Sequence, residues 1–453
     1  MKHLLCTLPL ILFPVYSQVV DTQSVLNAAL DEVKAQQSEN LGPVITAVLD
    51  ASGGDEQAYW QGMQKAVEAG HPVALTWKSQ QMQNQLRATR QNPETAPEAV
   101  ELRAAMEQAA ATGYVPALVE MAHMCGSGVG APADEKEGMT YLMQACRANS
   151  ARARAAYLLL SGRLEKEGAA SPAVQAELKR NNYHVEEFLS ALVADGDDAK
   201  SQEWLSLAAS HGSPGAACTL AFYYLQQGKE TLGYDLLKQA AERDNPEALA
   251  QLASFTLPGA DMPESLKPLI KQDTEAAIRL FQRSALLGYA PALIPLAGEY
   301  HKQPSRYSDA RVFELYRRAA DAGDPRGGVA FAYCLAVGRG CAVDAERGVQ
   351  VLGQLVDAGV PFAHLALADL YFNGSGVPAD MPRALRALSE AAAAGVPQSY
   401  TLMAVLAQLG NASKPSDPMR ARVYLRMAEE RGEIDAQRAF DEMVAAGSWR
   451  FIP

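Results

Sequence analysis

Positive charge is scarce in this sequence. Lys and Arg number 40 against 52 Asp and Glu, for a net charge of −12 over 453 residues. Phosphate binding needs a basic stripe, so this balance argues against nucleic acid as a partner and against adsorption to an anionic membrane surface. Long apolar runs are also missing, with one short exception at the start. Leu4 to Tyr16 is apolar but only about 13 residues long, and Pro9 and Pro14 interrupt it, so it does not span a bilayer. With Lys2 before it and Val15-Tyr16-Ser17 closing it, the run reads as a signal peptide over residues 1–17. The expected mature chain begins near Gln18 and is exported, periplasmic or secreted, with no integral membrane segment.

Catalytic and metal-binding patterns are absent as well. The six histidines after residue 17 form no His-x-x-x-His pair and sit in no Cys/His spacing typical of zinc. Gly126-Ser127-Gly128-Val129-Gly130 superficially resembles a phosphate-binding loop, but it lies between two helical patterns rather than after a strand. Gly374-Ser375-Gly376 fails as a nucleophile elbow for the same reason. No cofactor, metal site or enzymatic activity is expected.

What the chain has in quantity is alanine-rich helix ending in glycine. Lys65 to Gly70, Gln108 to Gly113, Leu207 to Gly212, Ser284 to Gly288, Arg318 to Gly323, Gln354 to Gly359 and Ala391 to Gly395 all follow this form, and Gln239 to Asp244 does so with Asp at the stop. From Gly288 onward the stops, at 288, 323, 359, 395 and 432, lie 35 to 37 residues apart. A fixed period of that size marks stacked helical hairpins. Alanine favours the helix and admits a close neighbour, and glycine ends it in the left-handed conformation.

The helix after each stop carries a small residue, then an apolar-plus-small pair four and five positions later. Ala117 with Met121-Ala122, Ala216 with Leu220-Ala221, Gly327 with Phe331-Ala332 and Ala363 with Leu367-Ala368 are examples. The turn to the second helix repeats too: Gly374, Gly376 and Asp380 align on Gly338, Gly340 and Asp344, and on Gly128, Gly130 and Asp134. The glycines give a tight reversal and the aspartate caps the next helix. No segment reads as a strand, so the expected fold is all-α.

These motifs resemble the Sel-one-like repeat family, a branch of the tetratricopeptide-type α/α repeats, most closely from Ala363 to Gly395. The resemblance extends over Tyr114 to Asn149 and Ser213 to Gly432. It implies a right-handed superhelical solenoid, here of about ten hairpins, whose concave surface holds partner proteins. The organisation that follows is a signal peptide (1–17), a helical N-terminal cap (18–50), a repeat solenoid (51–432) and a C-terminal capping helix and tail (433–453). Residues 71–100 depart from the pattern, with Trp77 and a Gln/Asn-rich run, and residues 150–200 have irregular spacing.

If first helices line the concave side, as the resemblance implies, two rows on them form the groove. One holds His123, Phe222, Ser254, Gly298, Tyr333, Asp369 and Val405; the other holds Glu120, Thr219, Gln251, Pro295, Ala330, Ala366 and Leu402. Glu120, His123, Phe222, Tyr333 and Asp369 are the candidate partner-binding residues. Among the cysteines, Cys125 and Cys146 fall at opposite ends of an antiparallel hairpin, roughly 15 Å apart at 1.5 Å per residue, too far for a disulfide. Cys334 and Cys341 flank one turn seven residues apart, which admits a bridge. The expected function is an exported, non-catalytic scaffold or adaptor for a protein or peptide. The alternative is a cell-envelope, peptidoglycan-related binding protein or hydrolase.

Overall fold

A computed structural model describes residues 21–89, 92–161, 163, 166, 168–194, 198–410, 416–433 and 435–446. The expected signal peptide lies outside the described residues. Among them all regular structure is helical.

Helix α1 (Thr22–Ala35) stands alone at the N-terminus, and eleven hairpins follow among the described residues. The first two are irregular: α2 (Gly42–Ala51) with α3 (Glu56–Glu68), then α4 (Pro72–Thr89) with α5 (Pro97–Ala111). Next come α6 (Val115–Ser127) with α7 (Glu135–Arg147), α8 (Ala151–Leu160) with the short α9 (Pro172–Leu178), and α10 (Tyr183–Val193) with α11 (Asp198–Ser210). The middle holds α12 (Pro214–Gln226) with α13 (Glu230–Glu242), α14 (Pro246–Thr256) with α15 (Thr274–Leu286), and α16 (Leu293–His301) with α17 (Asp309–Asp321). The last three are α18 (Pro325–Val337) with α19 (Ala345–Asp357), α20 (Phe362–Asn373) with α21 (Met381–Ala393), and α22 (Gln398–Leu409) with α23 (Pro418–Glu430). Helix α24 (Ala436–Ala446) closes the stack against α22.

The repeated residues do the work that their spacing suggests. Asp134, Asp344 and Asp380 each cap a second helix by accepting from backbone N–H groups of its first turn. Gly340 carries a φ of 76°, and a Cβ there would sit 2.1 Å from the Asp309 carbonyl oxygen. The turn therefore rests directly on the preceding hairpin, and only glycine fits. Where the stop is not glycine, Asn149, Asn181 and Asp244 hold φ between 54° and 64° in its place. The small residue of the first helix meets its counterpart in the second: a Cβ on Gly348 would lie 2.6 Å from the Ala332 carbonyl oxygen.

Each second helix packs on the first helix of the next hairpin, and first helices also touch one another, as α4 with α6 and α18 with α20. This closer approach puts the first helices on the inside of the curve. Trp204, Tyr234 and Tyr424 pack half-buried at hairpin edges and Tyr316 is buried. Residues 257–273 fold back over the α12–α13 hairpin, where Met262, Leu266 and Ile270 join Phe255, Leu225 and Tyr234.

The chain also meets itself across a long sequence distance. The turn between α1 and α2 reaches three hairpin junctions. Tyr114 donates its hydroxyl to the Ser38 carbonyl at 2.6 Å, Arg152 pairs with Glu39, and Asn40 donates to Asp244 at 3.0 Å. Helices α2 and α4 then lie against α15 and α17. The core cluster built on Leu26, Ile45, Met63 and Met106 takes in Leu286 at this junction.

Candidate functional site

The inner rows divide into an open and a closed part. In hairpins α12–α17, Thr219 is exposed and Phe222, Gln251, Ser254, Pro295 and Gly298 are partly exposed. In hairpins α18–α23 the same positions, Ala330, Tyr333, Ala366, Asp369, Leu402 and Val405, are buried. Between α18 and α20 the cause is side-chain size, since Ala330 and Ala366 let these helices touch where Thr219, Gln251 and Pro295 stand earlier; Leu402 is covered instead within the C-terminal core cluster.

The five sequence-nominated residues therefore separate. His123 is exposed and Phe222 is half-buried, with solvent access. Tyr333 and Asp369 are 1% and 0% exposed; the Tyr333 hydroxyl donates to Asp369, which also accepts from Asn373. They tie α18 to α20 inside the stack and present no surface to a partner. Glu120 is likewise buried, accepting from Ser79 of α4 at 3.1 Å. The bridge admitted for Cys334 and Cys341 is not formed. Cys334 points into the core beside Tyr316, and the Cys341 thiol instead faces the Cys334 carbonyl oxygen at 3.5 Å. Burial pushes the Cys334 thiol up to about 12.

A second polar assembly lies in the seam where the N-terminal helices meet α15–α17. Glu56, Gln282 and Tyr300 are at most 4% exposed. The Tyr300 hydroxyl donates to Glu56 Oε2 at 2.6 Å; Gln282 Nε2 lies 2.7 Å from that hydroxyl, 3.0 Å from Glu56 Oε2 and 2.9 Å from the Gly54 carbonyl. Tyr307 stacks on Tyr300 with ring centroids 3.7 Å apart, and Arg311 pairs with Asp55. Burial, then the Glu56 carboxylate, push the Tyr300 hydroxyl far above its ordinary value, so it stays a donor. None of this was visible from local spacing, because the partners lie 226 to 256 residues apart. Trp77, in the segment that broke the repeat pattern, was the one sequence signal pointing here.

In α10, Glu186 is fully buried and His211 Nδ1 stands 2.7 Å from its Oε1. Burial raises the Glu186 carboxyl above its ordinary range, and His211 pulls it back. A cleft of about 610 Å³ opens among α21, α22 and α23, with Met381, Leu385, Met403 and Leu406 in its wall beside Asp417 and Arg420. Among the described residues no three or more His, Cys, Asp and Glu gather as for a metal ion, and no helix is long and apolar enough to cross a membrane.

The Sel1 repeat family model matches six segments, residues 115–150, 194–213, 246–289, 313–324, 361–396 and 397–433. Four of these are whole hairpins, α6–α7, α14–α15, α20–α21 and α22–α23. The chain carries Sel1 repeats. Solved structures similar to this Sel1 repeat chain include a protective antigen of uropathogenic Escherichia coli with an SLR fold. It is 17% identical, covers 94% of this chain and 96% of its own, and has a TM-score of 0.44. A Sel1 repeat protein of Oxalobacter formigenes is 21% identical over 54% of this chain and 96% of its own, with a TM-score of 0.42. An immunity protein of Pseudomonas aeruginosa is 16% identical over 48% and 76%, with a TM-score of 0.30. No match to a curated protein was found.

Proposed function

We propose that this Sel1 repeat protein is an exported, non-catalytic scaffold that binds a protein or peptide partner along the open part of its inner face. The observation that carries this reading is the change in the inner rows. Thr219, Phe222, Gln251 and Ser254 reach solvent, whereas the same positions of the later hairpins are buried. Stacked hairpins offer an extended concave surface, and varied side chains on it suit an extended or helical segment of another protein. Export rests on residues 1–17. N-terminal sequencing of the protein from the source cell tests it: a mature start near Gln18 supports export, and an intact Met1 on the bulk of the protein overturns it.

Binding is tested by affinity capture after crosslinking, comparing wild type with Thr219→Glu/Phe222→Ala. Thr219 is exposed and Phe222 packs partly against the α12–α13 core, so an unchanged thermal melt of Thr219→Glu alone keeps a folded variant in the comparison. Loss of a specific partner from the double variant supports the reading. Equal recovery of every partner contradicts it.

A further inference from the structure

We propose that Arg318 forms a carboxylate-binding point in the seam between the N-terminal helices and α17. The Arg318 guanidinium lies over the Trp60 ring with Cζ 4.1 Å from the ring centroid, and it is half-buried. Arg311, two turns earlier on the same helix, pairs with Asp55, but among the described residues Arg318 has neither an ion pair nor a hydrogen bond. The acids nearest to it in charge are engaged elsewhere. Glu56 accepts from Tyr300 and Gln282, and Glu314 pairs with Arg317.

Three further groups in the same cluster lack partners. The Tyr59 hydroxyl and the indole N–H groups of Trp60 and Trp77 are buried with no hydrogen-bond partner among the described residues. Their rings adjoin, with Trp60 and Trp77 centroids 5.0 Å apart and Tyr59 within 6.3 Å of both. Buried polar groups are normally paired, so three buried unpaired donors in the ring cluster beside the half-buried Arg318 point to a ligand that supplies acceptors. A guanidinium whose carbon lies over an aromatic ring keeps N–H groups around its edge to donate elsewhere. That fork matches the two oxygens of a carboxylate, and a planar stacked arginine recognises one far better than a lysine does. The carboxylate comes either from a small free organic acid or from a peptide.

The full chain, labelled with 15N at its indoles, tests this by titration while the Trp60 N–H resonance is followed. That resonance is assigned by its loss in Trp60→Phe. The probes are acetate, acetyl-Ala-Ala-Ala with a free C-terminus, its C-terminal amide, and inorganic phosphate. We expect a saturable shift with acetate or the free-acid peptide, none with the amide, and a Trp204 resonance that stays still. A response to acetate and peptide alike assigns a small-acid site, and a markedly tighter response to the peptide assigns a peptide terminus. Arg318→Gln should abolish the shift, and Arg318→Lys should weaken it about tenfold. If Arg318→Gln fails to fold, Arg318→Lys, which keeps the charge and loses the fork, carries the test. Equal responses to acid and amide, an unchanged response in either variant, a response to phosphate alone, or no saturable shift would each overturn the assignment.

Discussion

Replacing Tyr300 with Phe removes one oxygen from the seam and leaves the ring, with its stack on Tyr307, in place. That oxygen donates to Glu56 at 2.6 Å and lies 2.7 Å from Gln282 Nε2, among side chains at most 4% exposed. Gln282 keeps the Gly54 carbonyl at 2.9 Å, so the loss falls mainly on Glu56. Glu56 retains Gln282 at 3.0 Å and Arg311 at 3.9 Å. A hydrogen bond to a buried charge contributes about 1.5–3 kcal/mol, and the remaining partners place this one near 1.5–2 kcal/mol. In a solenoid each hairpin answers to its neighbours, so the effect should stay at the junction. Hydrogen exchange followed by mass spectrometry reads it directly. Peptides from residues 42–68 should exchange roughly 10- to 30-fold faster in Tyr300→Phe, while those from 362–430 stay unchanged. Unaltered exchange over 42–68, or equal acceleration over 362–430, would refute the idea that this seam locks the N-terminal helices to α15–α17.

Other perturbations separate the roles of individual residues. Gly340→Ala puts a Cβ at 2.1 Å from the Asp309 carbonyl in a left-handed residue, and should cost about 2 kcal/mol or more in urea denaturation. Gly353→Ala, inside α19 with no atom within 4 Å of the added Cβ, should instead stabilise by about 0.5–1 kcal/mol. The Glu186 carboxyl is raised by burial, so the native state holds its proton to higher pH than the unfolded chain does. Stability should therefore fall as pH rises above the ordinary glutamate range, and Glu186→Gln should flatten that fall in thermal melts; an identical pH profile would count against it. Thiol titration of a chain spanning residues 18–453 in denaturant without reductant should give five groups, Cys125, Cys146, Cys218, Cys334 and Cys341. Three would mean a bridge. In the folded protein Cys218 and Cys334, both pushed up to about 12 by burial, should react slowly near neutral pH.

The hairpin stack was legible because it is written locally. An alanine-rich stop, a small-residue register and a Gly-x-Gly turn each solve a problem within one repeat or against its neighbour. The inner face was only partly legible. Its register could be read, but which stretch stays open depends on how closely successive first helices approach. Ala330 and Ala366 carried that information: small residues in the row itself, rather than on the packing face, let α18 meet α20 and bury Tyr333 and Asp369. The seam left almost no trace in the sequence. Glu56 looks like any first-turn helical glutamate, and Tyr300 like any packing aromatic. Their pairing follows from superhelical curvature accumulated over more than two hundred residues. Arg318 likewise sits in an ordinary alanine-rich stop, and only the fold brings Trp60 beneath it.

The partner-binding account is tested most directly by a photo-crosslinking residue placed singly at Phe222, at Gln251 and, as an outer control, at Leu232, which is 47% exposed on the second helix α13. Irradiation in the source cell should give the same discrete adduct from Phe222 and Gln251 and none from Leu232. Adducts from Leu232 alone, or none from either inner position, would contradict the claim that the open inner face holds the partner.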